Sequence, residues 1–485
     1  MTKPELECDR RGLKLGIVHF GVGGFHRAHQ AVYIDDLLAQ GKAKDWAILG
    51  VGVMPGDVRM RDALESQDHL YTVVTKHPDG TTTTRTVGSI VDYLFAPDDP
   101  EAVLDVLTDP ATKIVSLTVT EGGYHVHEVT GELDTSDRAL SADLKDPLHP
   151  TTVFGYITEA LRRRRENGVP PFTVASCDNV PGNGDVARKM ITCFARLSNP
   201  ELGEWMSEEV AFPCSMVDRI TPMTTPKDIA ALKADHGIED AWPVVAEPFT
   251  QWVVEDKFPA GRPPLEEVGV QVVDDVEPYE LMKIRMLNGS HQAMAYLVHL
   301  AGFRYSYEVA QDPQFIDILA KYMSEEAAPT VPSAPGIDTE EYQATLLERF
   351  ANPAVRDTIA RLAAETSDRI PKFVLPTILA QLEAGGPIDA GALIIASWAR
   401  YAEGIDEEGQ EIEVVDRRKD EILAAAADKS DPLAFLRNED LFGDLAQNER
   451  FTERYQYYLE LLREKGARAA LADLLSTPEP SKDEA

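Results

Sequence analysis

Leu15-Gly16-Ile17-Val18-His19-Phe20-Gly21-Val22-Gly23-Gly24-Phe25-His26-Arg27-Ala28-His29-Gln30 is the stretch that decides the fold. An apolar run of strand length ends in closely spaced glycines, and an apolar-periodic segment, Ala31 to Leu38, follows. Strand, glycine turn and helix in that order let the backbone approach a pyrophosphate, which then rests against the positive helix end. Gly21 and Gly23 fill the first two places of the GxGxxG pattern. His26 occupies the third, so the close helix-to-strand packing that glycine provides must be made another way. The same glycines also suit an ordinary βα loop.

Working outward, the next predicted strand is Trp46 to Val53, and Asp57 follows it in Met54-Pro55-Gly56-Asp57. A carboxylate there accepts hydrogen bonds from ribose hydroxyls and repels a 2′-phosphate, which favours NAD over NADP. The spacing from the glycines is longer than the roughly twenty residues of the standard fingerprint. Arg59 and Arg61 would instead welcome a phosphate. The cofactor-binding candidates are therefore Gly21, Gly23, Gly24, Phe25 and Asp57.

From Lys14 to about residue 280, short β-branched or apolar runs alternate with amphipathic stretches, the pattern of a parallel α/β sheet. Further predicted strands are Ile114 to Val119, Phe172 to Ser176 and Val268 to Val273. A helix over Gly155 to Arg165 closes at Glu166-Asn167-Gly168, before Pro170 and Pro171. The run Arg162-Arg163-Arg164-Arg165 at its end reads as a solvated face near the negative helix terminus, with a phosphate site as the alternative. Beyond Glu277 helical periodicity takes over: Glu280 to Leu300, Gln314 to Ala327, Glu340 to Ala351, Ala354 to Glu365, Phe373 to Ala384, Ala390 to Ala402, Arg417 to Asp428 and Arg450 to Ala470. The expected fold is α/β: a Rossmann-type parallel-sheet domain over 1–277, a mostly α-helical substrate and catalytic domain over 278–475, and a frayed tail over 476–485.

Composition agrees with this and excludes several classes. A chain of 485 residues exceeds the size of a single core, so two large domains with a cleft between them are expected. The formal charge of -35 repels phosphate backbones and anionic lipid surfaces, which argues against nucleic acid and membrane partners. Such a balance also fits adaptation to a salty cytoplasm. Cys8, Cys177, Cys193 and Cys214 show no CxxC spacing, so neither a disulfide scaffold nor a zinc site is indicated. The start of the chain lacks an apolar signal core, and no apolar run approaches the roughly 18 residues that span a bilayer. A cytoplasmic protein is expected, with the two-domain arrangement allowing a working monomer and a homodimer as the alternative.

Lys283-Ile284-Arg285-Met286-Leu287-Asn288-Gly289-Ser290-His291 puts an amine, an amide and an imidazole on one predicted helix. At 100° per residue Lys283, His291 and Asn288 fall at about 0°, 80° and 140°. The stripe Glu280, Lys283, Leu287, His291 and Met294 has the spacing of a packing face, yet three of its five members are polar. Such a stripe lies on an exposed face or lines a polar cleft; apolar Met282, Ile284, Met286, Ala293 and Tyr296 elsewhere on the helix favour the cleft. A lysine desolvated beside a positive charge can act as a base, and an amide N–H can stabilise a developing alkoxide. Asn179 and Asn183, just past the strand Phe172 to Ser176, offer a second amide or simply a turn.

Together the glycine turn, Ser176-Cys177-Asp178-Asn179, Val217-Asp218-Arg219-Ile220-Thr221-Pro222 and the lysine-to-histidine helix resemble the polyol-specific long-chain dehydrogenases and reductases, the mannitol dehydrogenase family, along nearly the whole chain. The resemblance implies NAD-dependent interconversion of a polyol and its ketose without a metal. It makes Lys283 the general base, Asn179 and Asn288 the paired oxyanion donors, and His291 the residue that orients substrate hydroxyls. Glu280 is similar to the family carboxylate that links the lysine to bulk water, while Asp218, Arg361 and Lys372 resemble substrate-hydroxyl contacts. The family shares the His26 departure. Gly21-Val22-Gly23-Gly24 and Val180-Pro181-Gly182-Asn183-Gly184 look more like the mannitol and arabinitol enzymes than the fructuronate reductases, so oxidation of D-mannitol to D-fructose is the expected reaction. Arabinitol oxidation and fructuronate reduction are the alternatives within the family; outside it stand a non-catalytic nucleotide sensor and a sugar-phosphate dehydrogenase.

Overall fold

β1, Leu15–Phe20, sits at the centre of a five-stranded parallel sheet in this computed structural model, which describes residues 10–127, 130–353 and 357–476. Its neighbours are β2, Ala47–Gly52, and, across the other edge, β6, Ile114–Leu117. β5, Ile90–Phe95, extends the sheet beyond β2, and β7, Thr173–Ser176, extends it beyond β6, giving the order β5-β2-β1-β6-β7. Both faces are covered. Val18 and Phe20 of β1 face a core built with the helices Pro100–Thr108, Val153–Glu166 and Asn183–Ser198, while Ile17 faces one that includes the helix Gln30–Ala39. Strands buried on both sides must be apolar throughout, which is why β1, β2 and β6 are legible as continuous apolar runs.

Between β2 and β5 the chain makes an antiparallel hairpin of β3, Tyr71–Lys76, and β4, Thr82–Val87, with β9, Val244–Ala246, on the far side of β3. β8, Ser215–Asp218, β10, Gln251–Glu255, and β11, Gln271–Val273, form a third sheet in the order β11-β10-β8. Of the last expected strand, Val268 to Val273, the part Gln271–Val273 forms, while Val268 ends a 3-10 turn, Leu265–Val268.

The chain divides at Glu277/Pro278 into two compact units, the first lacking only the hairpin tip at 78–80. Described residues of the second unit form helices and connecting turns. The helix expected over Ala354 to Glu365 is a correction: only Ile359–Leu362 is helical, and 354–356 lie outside the described residues. Thr366–Phe373 and Leu375–Ala384 follow as two further helices. The expected helix over Arg450 to Ala470 is also two, Glu449–Lys465 and Ala467–Ser476, because Gly466 takes a φ of 81° between them. Cys8 and the tail from 477 onward lie outside the described residues.

The four-arginine run needs a correction of its own. Arg162 and Arg163 pair with Glu159 at 2.7 Å each, and Arg163 also reaches Glu101 at 2.8 Å. Arg164, however, is buried, and its guanidinium donates to the carbonyls of Leu107, Asp109, Thr112 and Pro170. One member of the run is thus a core fastener holding the edge of the sheet. Among the described residues no helix is long and apolar enough to cross a membrane.

Candidate active site

The glycine turn is constrained at its first position and open at its second. Gly21 has a φ of 89°, and a Cβ there would collide with the carbonyl oxygen of Thr118, just past the end of β6. A Cβ on Gly23 would meet nothing closer than 3.7 Å, so the backbone there is approachable. Thr118 Oγ1 donates to the Gly21 carbonyl at 2.7 Å, tying the turn across the point where the strand order reverses. With that hydroxyl proton committed, His19 Nε2 donates to Thr118 Oγ1 at 2.9 Å and its Nδ1 accepts from Ser116 at 2.8 Å. His26 lies flat on His19, ring centroids 3.4 Å apart, with both rings buried. Burial holds His19 down to about 3 and His26 well below the usual histidine range, so two neutral imidazoles do the packing that glycine does in the standard fingerprint. Phe25, half-buried, stacks on His29 at 4.8 Å.

Asp57 closes over the end of β2. Gly52 makes room for it, since a Cβ at that glycine would lie 2.6 Å from the Asp57 Cβ. Its Oδ2 accepts the Met54 amide at 2.9 Å, and its own amide donates back to the Met54 carbonyl at 2.9 Å. Arg61 is engaged by Asp62 and Asp98, and the Arg59 guanidinium lies 4.0 Å over the Trp242 ring.

Past β7 the chain splits its two asparagines between different tasks. Asn183 is buried: its Nδ2 donates to the carbonyls of Asp178 and Ser215 at 2.9 and 2.7 Å, and its Oδ1 accepts the Ser215 amide at 2.9 Å. It fastens β7 to β8. Asn179 is exposed. Asp178, just before them, accepts from the Thr120 and Val119 amides and from the Tyr124 hydroxyl at 2.7 Å, and burial pushes its carboxyl up. Tyr124 is a residue that sequence reading passes over; the turn Glu121-Gly122-Gly123-Tyr124 after β6 was the available signal. Asp218, buried, ends β8, and its neighbour Arg219 donates to the carbonyls of Ala28 and Glu247, anchoring the short helix Gly24–Ala28. The arginine of that motif is a fastener.

A continuous helix runs from Glu277 to Leu300, but Lys283–Asn288 is π-helical. This corrects the angular reading. In a π-turn the bond closes at i+5 instead of i+4, so the fifth residue takes the place the fourth holds in an α-helix. Lys283 and Asn288 are five apart. Glu280 precedes the turn by three and His291 follows it by three, so the wide turn sets all four along one stripe, where an α-helix would carry Asn288 some 140° away from Lys283. Lys283 is 6% exposed, while Glu280, Asn288 and His291 are half-buried. The His291 ring packs 5.2 Å from Phe350.

Arg361 and Lys372 stand on helices that pack against this one. Both are exposed and paired, Arg361 with Asp357 through two bonds of 2.5 and 2.6 Å and Lys372 with Asp368 at 2.9 Å. Among the described residues no cluster of three or more His, Cys, Asp or Glu is arranged to hold a metal ion.

Residues 15–267 match the mannitol dehydrogenase Rossmann domain family, and 275–463 match the mannitol dehydrogenase C-terminal domain family. The chain belongs to the mannitol dehydrogenase family. It is 48% identical to mannitol 2-dehydrogenase of Phaeosphaeria nodorum over 96% of this chain and 82% of that one. With mannitol 2-dehydrogenase of Aspergillus oryzae it shares 45% identity over 96% and 94%. Pseudomonas fluorescens mannitol 2-dehydrogenase, solved as a ternary complex with NAD and D-mannitol, superposes with a TM-score of 0.83 at 43% identity, covering 97% of this chain and 96% of that chain. A substrate-free D-sorbitol dehydrogenase superposes with a TM-score of 0.92 at 39% identity, covering 96% of each.

Proposed function

We propose that this member of the family oxidises a polyol to a ketose with NAD, D-mannitol to D-fructose, using Lys283 as the base and no metal ion. The observation that carries the reading is the stripe Glu280, Lys283, Asn288 and His291, set by a π-turn around an enclosed lysine. The names of the relatives, and the NAD and D-mannitol bound to the Pseudomonas enzyme, support the choice of cofactor and substrate. Gly21, Gly23, Gly24 and Phe25 fit a pyrophosphate at an approachable backbone, and Asp57 fits a ribose. Bound NAD supplies the hydride acceptor.

The chain's own groups then divide the remaining work. Lys283, enclosed on the stripe, is the group proposed to accept the hydroxyl proton, at Nζ. Asn288 donates its amide N–H to the oxygen that gains negative charge, with Asn179 as the second proposed donor. His291 orients a neighbouring hydroxyl, and Asp218 is proposed to hold another. Glu280, one turn before the lysine, passes its proton on toward water. In reduction the same lysine, protonated, returns the proton.

Arg361 and Lys372 already hold carboxylate partners, which favours an uncharged polyol over fructuronate, whose carboxylate calls for an uncommitted cation. The high structural similarity to a D-sorbitol dehydrogenase makes D-sorbitol the second substrate to compare. The test is NADH formation from D-mannitol, D-sorbitol and arabinitol in buffer containing EDTA, for the natural chain and for Lys283→Ala. Activity should survive the chelator, and Lys283→Ala should lose about a thousandfold in kcat while still binding NADH. Loss of activity to EDTA, or an unchanged rate in the variant, contradicts the proposal.

A further inference from the structure

The π-turn that aligns Lys283 with Asn288 is held by a second helix. Pro313–Lys321 continues into its own π-helical segment, Tyr322–Ala327, and then into a 3-10 turn that ends at Thr330. The two wide turns pack on each other and exchange bonds. Tyr322, fully buried, donates its hydroxyl to the carbonyl of Arg285, in the middle of the first turn, at 3.2 Å. Arg285 returns a bond from its side chain to the carbonyl of Thr330. Gly289, the residue that closes the first turn, has no room for a side chain, since a Cβ there would collide with the Tyr322 hydroxyl. A glycine where the hydroxyl passes, and a hydroxyl aimed at a carbonyl of the turn, are two halves of one fitting.

We infer that Tyr322 is a positioning residue for the proposed base, its hydroxyl fixing the π register of Lys283–Asn288 and thereby the alignment of Lys283 with Asn288. The inference rests on the reading of Lys283 as the base. A π-turn is a rare local conformation and persists where its surroundings determine it. Relaxation to an α-helical register would swing Asn288 away from the lysine around the helix axis, separating the group that takes the proton from the group that stabilises the oxygen left behind. The base of the fitting is itself anchored. Glu326, four residues after Tyr322, accepts the Ala390 and Gly391 amides at 2.6 and 2.8 Å, at the start of the helix Asp389–Tyr401.

The test compares Tyr322→Phe with Tyr279→Phe. Tyr279 lies on the same long helix and also spends its hydroxyl on a backbone carbonyl, that of Pro335 at 2.6 Å, but outside the wide turn. Tyr322→Phe should lower kcat for polyol oxidation about tenfold or more, leave the NADH dissociation constant unchanged and shift the pH–rate profile. Tyr279→Phe should keep kcat within about twofold despite a comparable loss of melting temperature. Hydrogen exchange gives a readout independent of turnover: amides of 284–290 should exchange faster in Tyr322→Phe than in the natural chain, with those of 389–401 unchanged. Unaltered exchange at 284–290, an unchanged kcat in Tyr322→Phe, or an equal kcat loss in both variants would overturn the inference. A natural chain that does not oxidise polyols at all speaks against the reading of Lys283 instead, and the exchange comparison still decides the role of Tyr322.

Discussion

Gly21 and Gly24 stand three residues apart in one turn, yet the chain asks different things of them. Gly21 is held at positive φ against the Thr118 carbonyl, whereas a Cβ on Gly24 would make only ordinary contacts with Thr221 and Val244 at 3.5 and 3.7 Å. Gly21→Ala should therefore cost at least about 2 kcal/mol and weaken NADH binding, while Gly24→Ala should stay within about 1 kcal/mol of the natural chain. Thermal unfolding and an NADH fluorescence titration check both; equal losses at the two positions would contradict the account of the turn. Much of this scale was legible in the sequence. The glycines, Asp57 and the lysine stripe all stood out by type and spacing. What escaped was the division of labour between similar residues: Asn183 spends its amide fastening β7 to β8 while Asn179 stays exposed, and Arg164 is buried among neighbours on the surface. Residue type is the same in each case, and only the fold says which copy is buried.

Elements were legible in proportion to how evenly they are buried. β1, β2, β6 and β7 read as apolar runs because helices cover both faces of their sheet, and most helices of the second unit show a 3.6-residue period. β4 did not, since Thr82-Thr83-Thr84-Arg85-Thr86-Val87 is exposed or half-buried along most of its length. β8, β9 and β10 are three to five residues long and carry too little pattern to be separated from loop. The π-turn was invisible for a different reason. Its width is imposed by a tyrosine 37 residues away from Arg285, and the 100° period assumed for an α-helix then misplaces Asn288 while still putting it on the right helix.

Across the whole molecule burial shifts titratable groups in both directions, carboxyls up and histidines down. Burial lowers His19 from 6.5 to about 3 in the first unit and raises Glu326 from 4.5 to about 8 in the second. Below pH 6.5 the unfolded first unit binds a proton on His19 that the native form refuses, so its stability rises with pH up to 6.5. Above pH 4.5 the unfolded second unit gives up a proton on Glu326 that the native form keeps, so its stability falls as pH climbs toward 8. Each group contributes about 1.4 kcal/mol per pH unit inside its window. Between pH 4.5 and 6.5 these two contributions should thus have opposite slopes, as read by hydrogen exchange corrected for intrinsic rates. Glu326→Gln should remove the falling contribution from the second unit; a slope untouched by that substitution would count against the assignment.

A lysine amine, and not a metal-bound water, is proposed to take the proton, and chemical rescue of the missing amine probes that step. Lys283→Ala should bind NADH normally, oxidise D-mannitol very slowly in the presence of EDTA, and regain rate in proportion to the free-base concentration of added methylamine. A variant as fast as the natural chain, or one that methylamine leaves inert while a divalent metal restores it, would contradict the account.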